Sequence, residues 1–144
     1  MLNPGSQSRP FLVKKGIFEP HWIPRCLHTD PPIAAAGWTQ AEAAAAGHQV
    51  DVISETLPLI TDDDSTMIEP DKNLIKLVVQ ISTGRILGCV AIGSRAAELV
   101  NFASTAIRSG LFAQRLADLS LIHPSASEAL VRLVQAHFDH LDRC

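Results

Sequence analysis

The chain has no tyrosine, and phenylalanine and tryptophan together supply only 5% of it. Net charge is −3 and there is no basic patch. Nucleic-acid binders work through a positive face, and single-strand binders add aromatic platforms, so that class has little support here. No apolar run approaches the roughly 20 residues of a membrane span. Lys14 and Lys15 are not followed by the apolar core of a signal peptide. Neither nucleic acid nor membrane is therefore expected as a partner. Cysteine is scarce too. Cys26, Cys89 and Cys144 are odd in number and far apart, which argues against a disulfide scaffold and fits a reducing cytoplasm.

What is present is enough for one folded domain. The 144 residues are 47% hydrophobic and 19% charged, which supports a real core and argues against disorder. Residues 1–22 mix Pro, Gly, Ser and Lys without period and read as a linker or leader. Thr29-Asp30-Pro31-Pro32 is a proline-rich turn. Thr39-Gln40-Ala41-Glu42 has the Thr-x-x-Glu form of a capping box. The following alanines extend a short helix, and Gly47 ends it. An extended segment runs from Val50 to about Ile60, and residues 61–65 make a polar turn. Leu74–Ile81 and Arg85–Ile92 are apolar, β-branched runs joined by the turn Ser82-Thr83-Gly84. From Ser94 the period changes to that of a helix through Ala97, Val100, Ala103 or Ser104, and Ile107, closed by Gly110. A helical turn follows over 114–119. A last helix carries Leu130, Leu133, Val134, His137 and Leu141 on one face. Strands and helices come in blocks, so the expected class is α+β, an antiparallel sheet packed with helices.

The chemistry concentrates at His123-Pro124-Ser125-Ala126-Ser127-Glu128. An imidazole meeting a fixed carboxylate is a recurring pair for proton transfer near neutral pH. The proline holds the histidine backbone extended. A second reading is open: Ser125 as helix N-cap with Glu128 at the third helical position, a capping box. The two are compatible, because an ionised glutamate in a first helical turn can still accept from His123.

Together with their order, four segments carry a resemblance. They are Thr29–Ala43; Lys76–Val79 with Thr83–Gly88; Gly93–Leu99; and His123-Pro-Ser-Ala-Ser-Glu128. Over about residues 23–138 the chain resembles the C-terminal dimerisation domain of the FAD-dependent pyridine nucleotide–disulfide oxidoreductases, the group of dihydrolipoamide dehydrogenase, glutathione reductase and mercuric reductase. Trp38 stands where that family usually has leucine. The resemblance implies that residues 23–144 form the interface domain of a homodimer. It implies that His123 is an acid–base reaching the partner subunit's dithiol/disulfide redox site, with Glu128 orienting and charging it. The His-Pro peptide is usually cis in that family. The apolar face of residues 97–107 is the expected surface for the second copy.

The family's closely spaced redox cysteines and Gly-rich nucleotide site are missing from this sequence. FAD and NAD(P) are expected in the full-length enzyme, alongside its flavin and nicotinamide domains. The chain alone should bind neither and should not turn over. Gly88–Arg95 is a near miss for a phosphate loop, without its lysine, and reads as a strand. His137, His140 and Cys144 share a helical face with metal-ligand chemistry, but a frayed helix end is the preferred reading, and no metal is expected. Asp62-Asp63-Asp64 lacks the glycine and distal glutamate of a calcium loop. Arg108, His48 and Glu98 read as surface or interface polars. The alternative function is a stand-alone dimeric interaction module without catalysis.

Overall fold

A computed structural model describes residues 19–56 and 73–143. Nine elements follow a 3₁₀ turn at Pro20–Trp22: β1 (Arg25–Leu27), β2 (Ile33–Gly37), α1 (Gln40–Ala45), β3 (Val50–Thr56), β4 (Leu74–Gln80), β5 (Ile86–Ile92), α2 (Ala96–Arg108), α3 (Ala113–Ala117) and α4 (Glu128–Leu141). The strands form one sheet in the order β1-β2-β5-β4-β3, every pair antiparallel. This is the expected α+β class.

Local chemistry accounts for several boundaries. At α1 the capping box is complete: Glu42 N–H donates to Thr39 Oγ1 at 3.2 Å, and Thr39 N–H donates back to Glu42 Oε2 at 2.8 Å. The β4–β5 hairpin turns at Gly84, whose φ of 74° suits glycine. The part of the predicted β3 beyond Thr56, and the turn over 61–65, lie outside the described residues.

Two strands escaped the sequence reading. Ala34, Ala35 and Ala36 are helix formers, yet they sit in β2. The reason is tertiary. Ala34 and Ala36 are buried under α2, whose own contact face includes Ala96, Ala103 and Ala106. Small side chains on both sides let the helix lie close to the sheet, and this packing overrides propensity. At the end of the segment read as a leader, residues 20–22 form the 3₁₀ turn, and Trp22 packs on the core and lies under the Arg108 guanidinium, 5.9 Å from the ring centroid.

Burial divides the sheet into two faces. The covered face holds the rows Ile53–Leu77–Cys89–Ala36 and Ile75–Ala91–Ala34, capped by α2 and by α4. The apolar stripe of α2 is consumed here, with Leu99, Val100, Ala103, Ala106 and Ile107 all buried inside the domain. It is therefore not the surface left for a second copy, as the sequence had suggested. The opposite face carries the row Leu27–Ile33–Ile92–Leu74 across four strands. Leu27 is 64% exposed and Ile33 36%. On α4, Leu130, Leu133 and Val134 are buried as expected, but Leu141 is exposed. Phe138 still packs partly against the core, and His137 beside it places Nε2 3.6 Å from Asp51 Oδ2 of β3.

Candidate active site

The His123–Glu128 site sits where the chain enters α4. Gln135 Nε2 donates to the Ala117 carbonyl at 2.8 Å, pinning the end of α3 to α4. The connection from Asp118 to Ser127 then folds over the helix start. His123-Pro124 is cis. Leu130, fully buried within the first turn of α4, fixes the depth at which the helix begins.

Glu128 is the hub. Its Oε2 accepts from the Ser125 N–H at 2.9 Å, and both carboxylate oxygens lie 3.1 Å from His123 Nδ1. The Ser125 N–H and then the imidazole hold the Glu128 carboxyl below the usual carboxylate range, as bonds to the charged form do. The two side chains differ in access: Glu128 is 20% exposed and His123 78%. A carboxylate facing Nδ1 places the proton there in the neutral ring, leaving Nε2 with its lone pair outward. The arrangement can thus accept a proton from an incoming group, hold it as imidazolium beside a fixed anion, and return it.

The capping-box reading is half right. Glu128 does satisfy the Ser125 N–H, but Glu128 N–H goes to the Ser125 carbonyl at 3.3 Å. The Ser125 hydroxyl is buried without a partner, and the N-cap is Ser127, with no side-chain cap bond. Two turn residues between the proline and the helix displace Ser125 from the N-cap position.

A recess of about 180 Å³ adjoins the site, lined by Leu119, Leu121, Glu128, Val131, Arg132 and Gln135. Sequence reasoning missed Arg132 and Gln135. Their places one and two turns after Glu128 on α4 were the available signal.

The other flagged residues do not join this site. His137 pairs with Asp51, His140 is exposed, and Cys144 and Asp62–Asp64 lie outside the described residues. Among the described residues no group of three or more His, Cys, Asp or Glu side chains could hold a metal, and no helix is long and apolar enough to cross a membrane. Glu98 pairs with Arg95 at 2.9 Å. His48 meets the Trp38 ring edge and contacts Gln80. Gly88–Ile92 lies within β5, its backbone paired to strands on both sides. A Cβ on Gly88 would collide with the Trp38 carbonyl. That stretch offers no free N–H cradle, so it does not fit a dinucleotide phosphate.

Comparison with known proteins agrees with this architecture. Residues 23–134 match the family described as "Pyridine nucleotide-disulphide oxidoreductase, dimerisation domain". A mercuric reductase from Shigella flexneri is 36% identical over 96 residues, 67% of this chain and 17% of that protein. A dihydrolipoyl dehydrogenase from Chlorobaculum tepidum is 34% identical over 119 residues, 83% of this chain and 24% of that protein. The chain thus spans about a quarter or less of these relatives. The crystal structure of LpdA from Mycobacterium tuberculosis superposes with a TM-score of 0.69 at 24% identity, covering 84% of this chain and 26% of that one. The match runs through the whole sheet, its covering helices and the start of α4, and the chain belongs to the pyridine nucleotide–disulfide oxidoreductase dimerisation-domain family.

Proposed function

We propose that this chain is the interface unit of a flavin-dependent pyridine nucleotide–disulfide oxidoreductase. It assembles as a symmetric homodimer and lends His123 and Glu128 to the partner subunit's dithiol/disulfide site. The observation that carries the reading is the pair itself: an exposed imidazole whose Nδ1 rests 3.1 Å from a carboxylate that the backbone also holds. His123 Nε2 takes the proton of a substrate thiol as its sulfur attacks, and Glu128 stabilises the resulting imidazolium. In the reverse direction the imidazolium gives that proton to the departing thiolate. Gly88–Ile92, with its backbone paired in the sheet, does not suit a nucleotide phosphate, and FAD and NAD(P) would be held by the flavin and nicotinamide domains of the full-length enzyme and supply the electron transfer.

The apolar row Leu27–Ile33–Ile92–Leu74 supports the dimeric part, since it leaves hydrophobic side chains at the surface. Sedimentation of the chain at micromolar concentration tests assembly, with dimer expected. A monomer throughout that range would count against it. In the full-length enzyme, His123→Gln tests the chemistry. The thiol half-reaction should slow while flavin reduction by the nicotinamide continues, and equal rates in both variants would refute the acid–base role.

A further inference from the structure

A second thiol–imidazole pair lies away from His123. Cys26 lies in β1 and His28 immediately beyond its end, at the edge of the sheet. Cys26 Sγ lies 4.0 Å from His28 Nδ1. The position is reached from the sheet edge, since among the described residues β1 pairs only with β2. Cys26 faces the α2 side of the sheet beside its partner Ala34 and packs partly against the core. It is half-buried, and His28 is exposed. Leu27, which carries the open apolar row, points to the other face, so a copy docked on that row leaves Cys26 reachable.

Cys89 supplies the contrast within the same domain. It is 1% exposed in the middle of the covered face, and burial pushes its thiol up to about 12. No histidine touches it among the described residues. A thiol with that environment is inert, whereas a partly exposed one beside a base is reactive.

We propose that Cys26 and His28 form a covalent modification site on β1 that undergoes thiol–disulfide exchange with small-molecule disulfides. His28 Nδ1 takes the proton from Cys26 Sγ as the sulfur attacks one sulfur of the incoming disulfide. The new S–S bond forms as the old one breaks, and the departing thiolate takes the proton from His28. One disulfide is consumed and one is made, so no further oxidant is needed.

Oxidised glutathione is the probe, applied to the full chain carrying Cys144→Ser so that only Cys26 and Cys89 remain. One mixed disulfide per chain is expected, mapped to Cys26 by peptide mass. His28→Gln should slow its formation by about tenfold or more, as loss of a positioned base does, and should remove one inflection from the pH–rate profile. His28→Asn should behave alike, with unchanged circular dichroism. Cys26→Ser should abolish labelling. Equal rates and profiles in the histidine variants would overturn the proposal by making Cys26 an ordinary surface thiol. Labelling at Cys89 in preference to Cys26 would overturn it as well.

Discussion

Thr39–Glu42 and Ser125–Glu128 are the same four-residue pattern, a hydroxyl followed three places later by glutamate, and they end differently. At α1 the hydroxyl and carboxylate each satisfy the other's backbone N–H, and the Thr39 hydroxyl also donates to Glu42 at 2.9 Å. At α4 only the carboxylate half forms. The helix starts later, the serine hydroxyl is left buried and unbonded, and the glutamate also meets His123 through both carboxylate oxygens. In both boxes the carboxylate accepts a backbone N–H through Oε2 and keeps further acceptor capacity. What turns the start of α4 into a candidate proton-transfer site is the His123 imidazole set against that carboxylate.

The sharpest way to break this distinction is His123→Ala in the complete enzyme. The thiol half-reaction should slow by roughly 10²–10⁴-fold, the usual worth of a positioned acid–base group. Because the ring is 78% exposed, the melting temperature should hold. Rapid-mixing measurement of the two half-reactions, paired with thermal melts, separates the effects. An unchanged thiol rate with a lowered melting point would reduce the α4 site to a capping device like that of α1.

Next in size is Leu130→Ala. Leu130 is fully buried, and truncation at such a position costs about 2–5 kcal/mol. Ala43 is the one buried residue of α1, so that helix leans more on its cap. Urea unfolding of Leu130→Ala checks that α4 is anchored by packing. A loss below about 1 kcal/mol, the size of a cap contribution, would reverse the assignment.

Smaller still are the hydroxyls themselves. Thr39→Ala should cost about 1 kcal/mol. Ser125→Ala should be within about 0.5 kcal/mol of neutral or slightly stabilising, since it removes a buried group that has no partner. Equal losses in matched urea titrations would erase the difference between the two boxes.

The smallest expected effect is in acid. Backbone N–H groups, of Thr39 and of Ser125, are the leading cause that holds the carboxyls of Glu42 and Glu128 below their ordinary range. A depressed folded-state value means the stabilisation is complete above the ordinary glutamate value of about 4.3 and is lost as pH falls through the depressed one. Melting temperature should therefore drop below that pH, and the Glu42→Gln, Glu128→Gln double variant should drop less. Both carboxylates are near the surface, so added salt should shrink the effect. An identical acid profile for the double variant would show that neither contributes.

Much of this was legible along the chain. The β4–β5 hairpin, α1 with its box, α2 with its stripe, and the His123–Glu128 pair all rest on residues close in sequence. What was not legible depended on distant partners. Ala34–Ala36 form a strand because α2 lies over them, residues 20–22 are held where Trp22 packs on the core, and Arg132 and Gln135 line a recess only once α3 docks on α4.

The sequence by itself determined the α+β class, most element positions and the placing of His123 close to Glu128, while the resemblance of four motifs pointed to the family. The class and the elements follow from periodicity, turn chemistry and spacings of a few residues, which act within one or two turns of chain. The tertiary structure alone decided which apolar surfaces are spent and which remain. It buried the α2 stripe inside the domain, left the row Leu27–Ile33–Ile92–Leu74 facing outward, and sealed Cys89 while leaving Cys26 beside an imidazole at the edge. Burial is set by the strand order and by which sheet face the helices cover, and neither is encoded in the spacing of neighbouring residues.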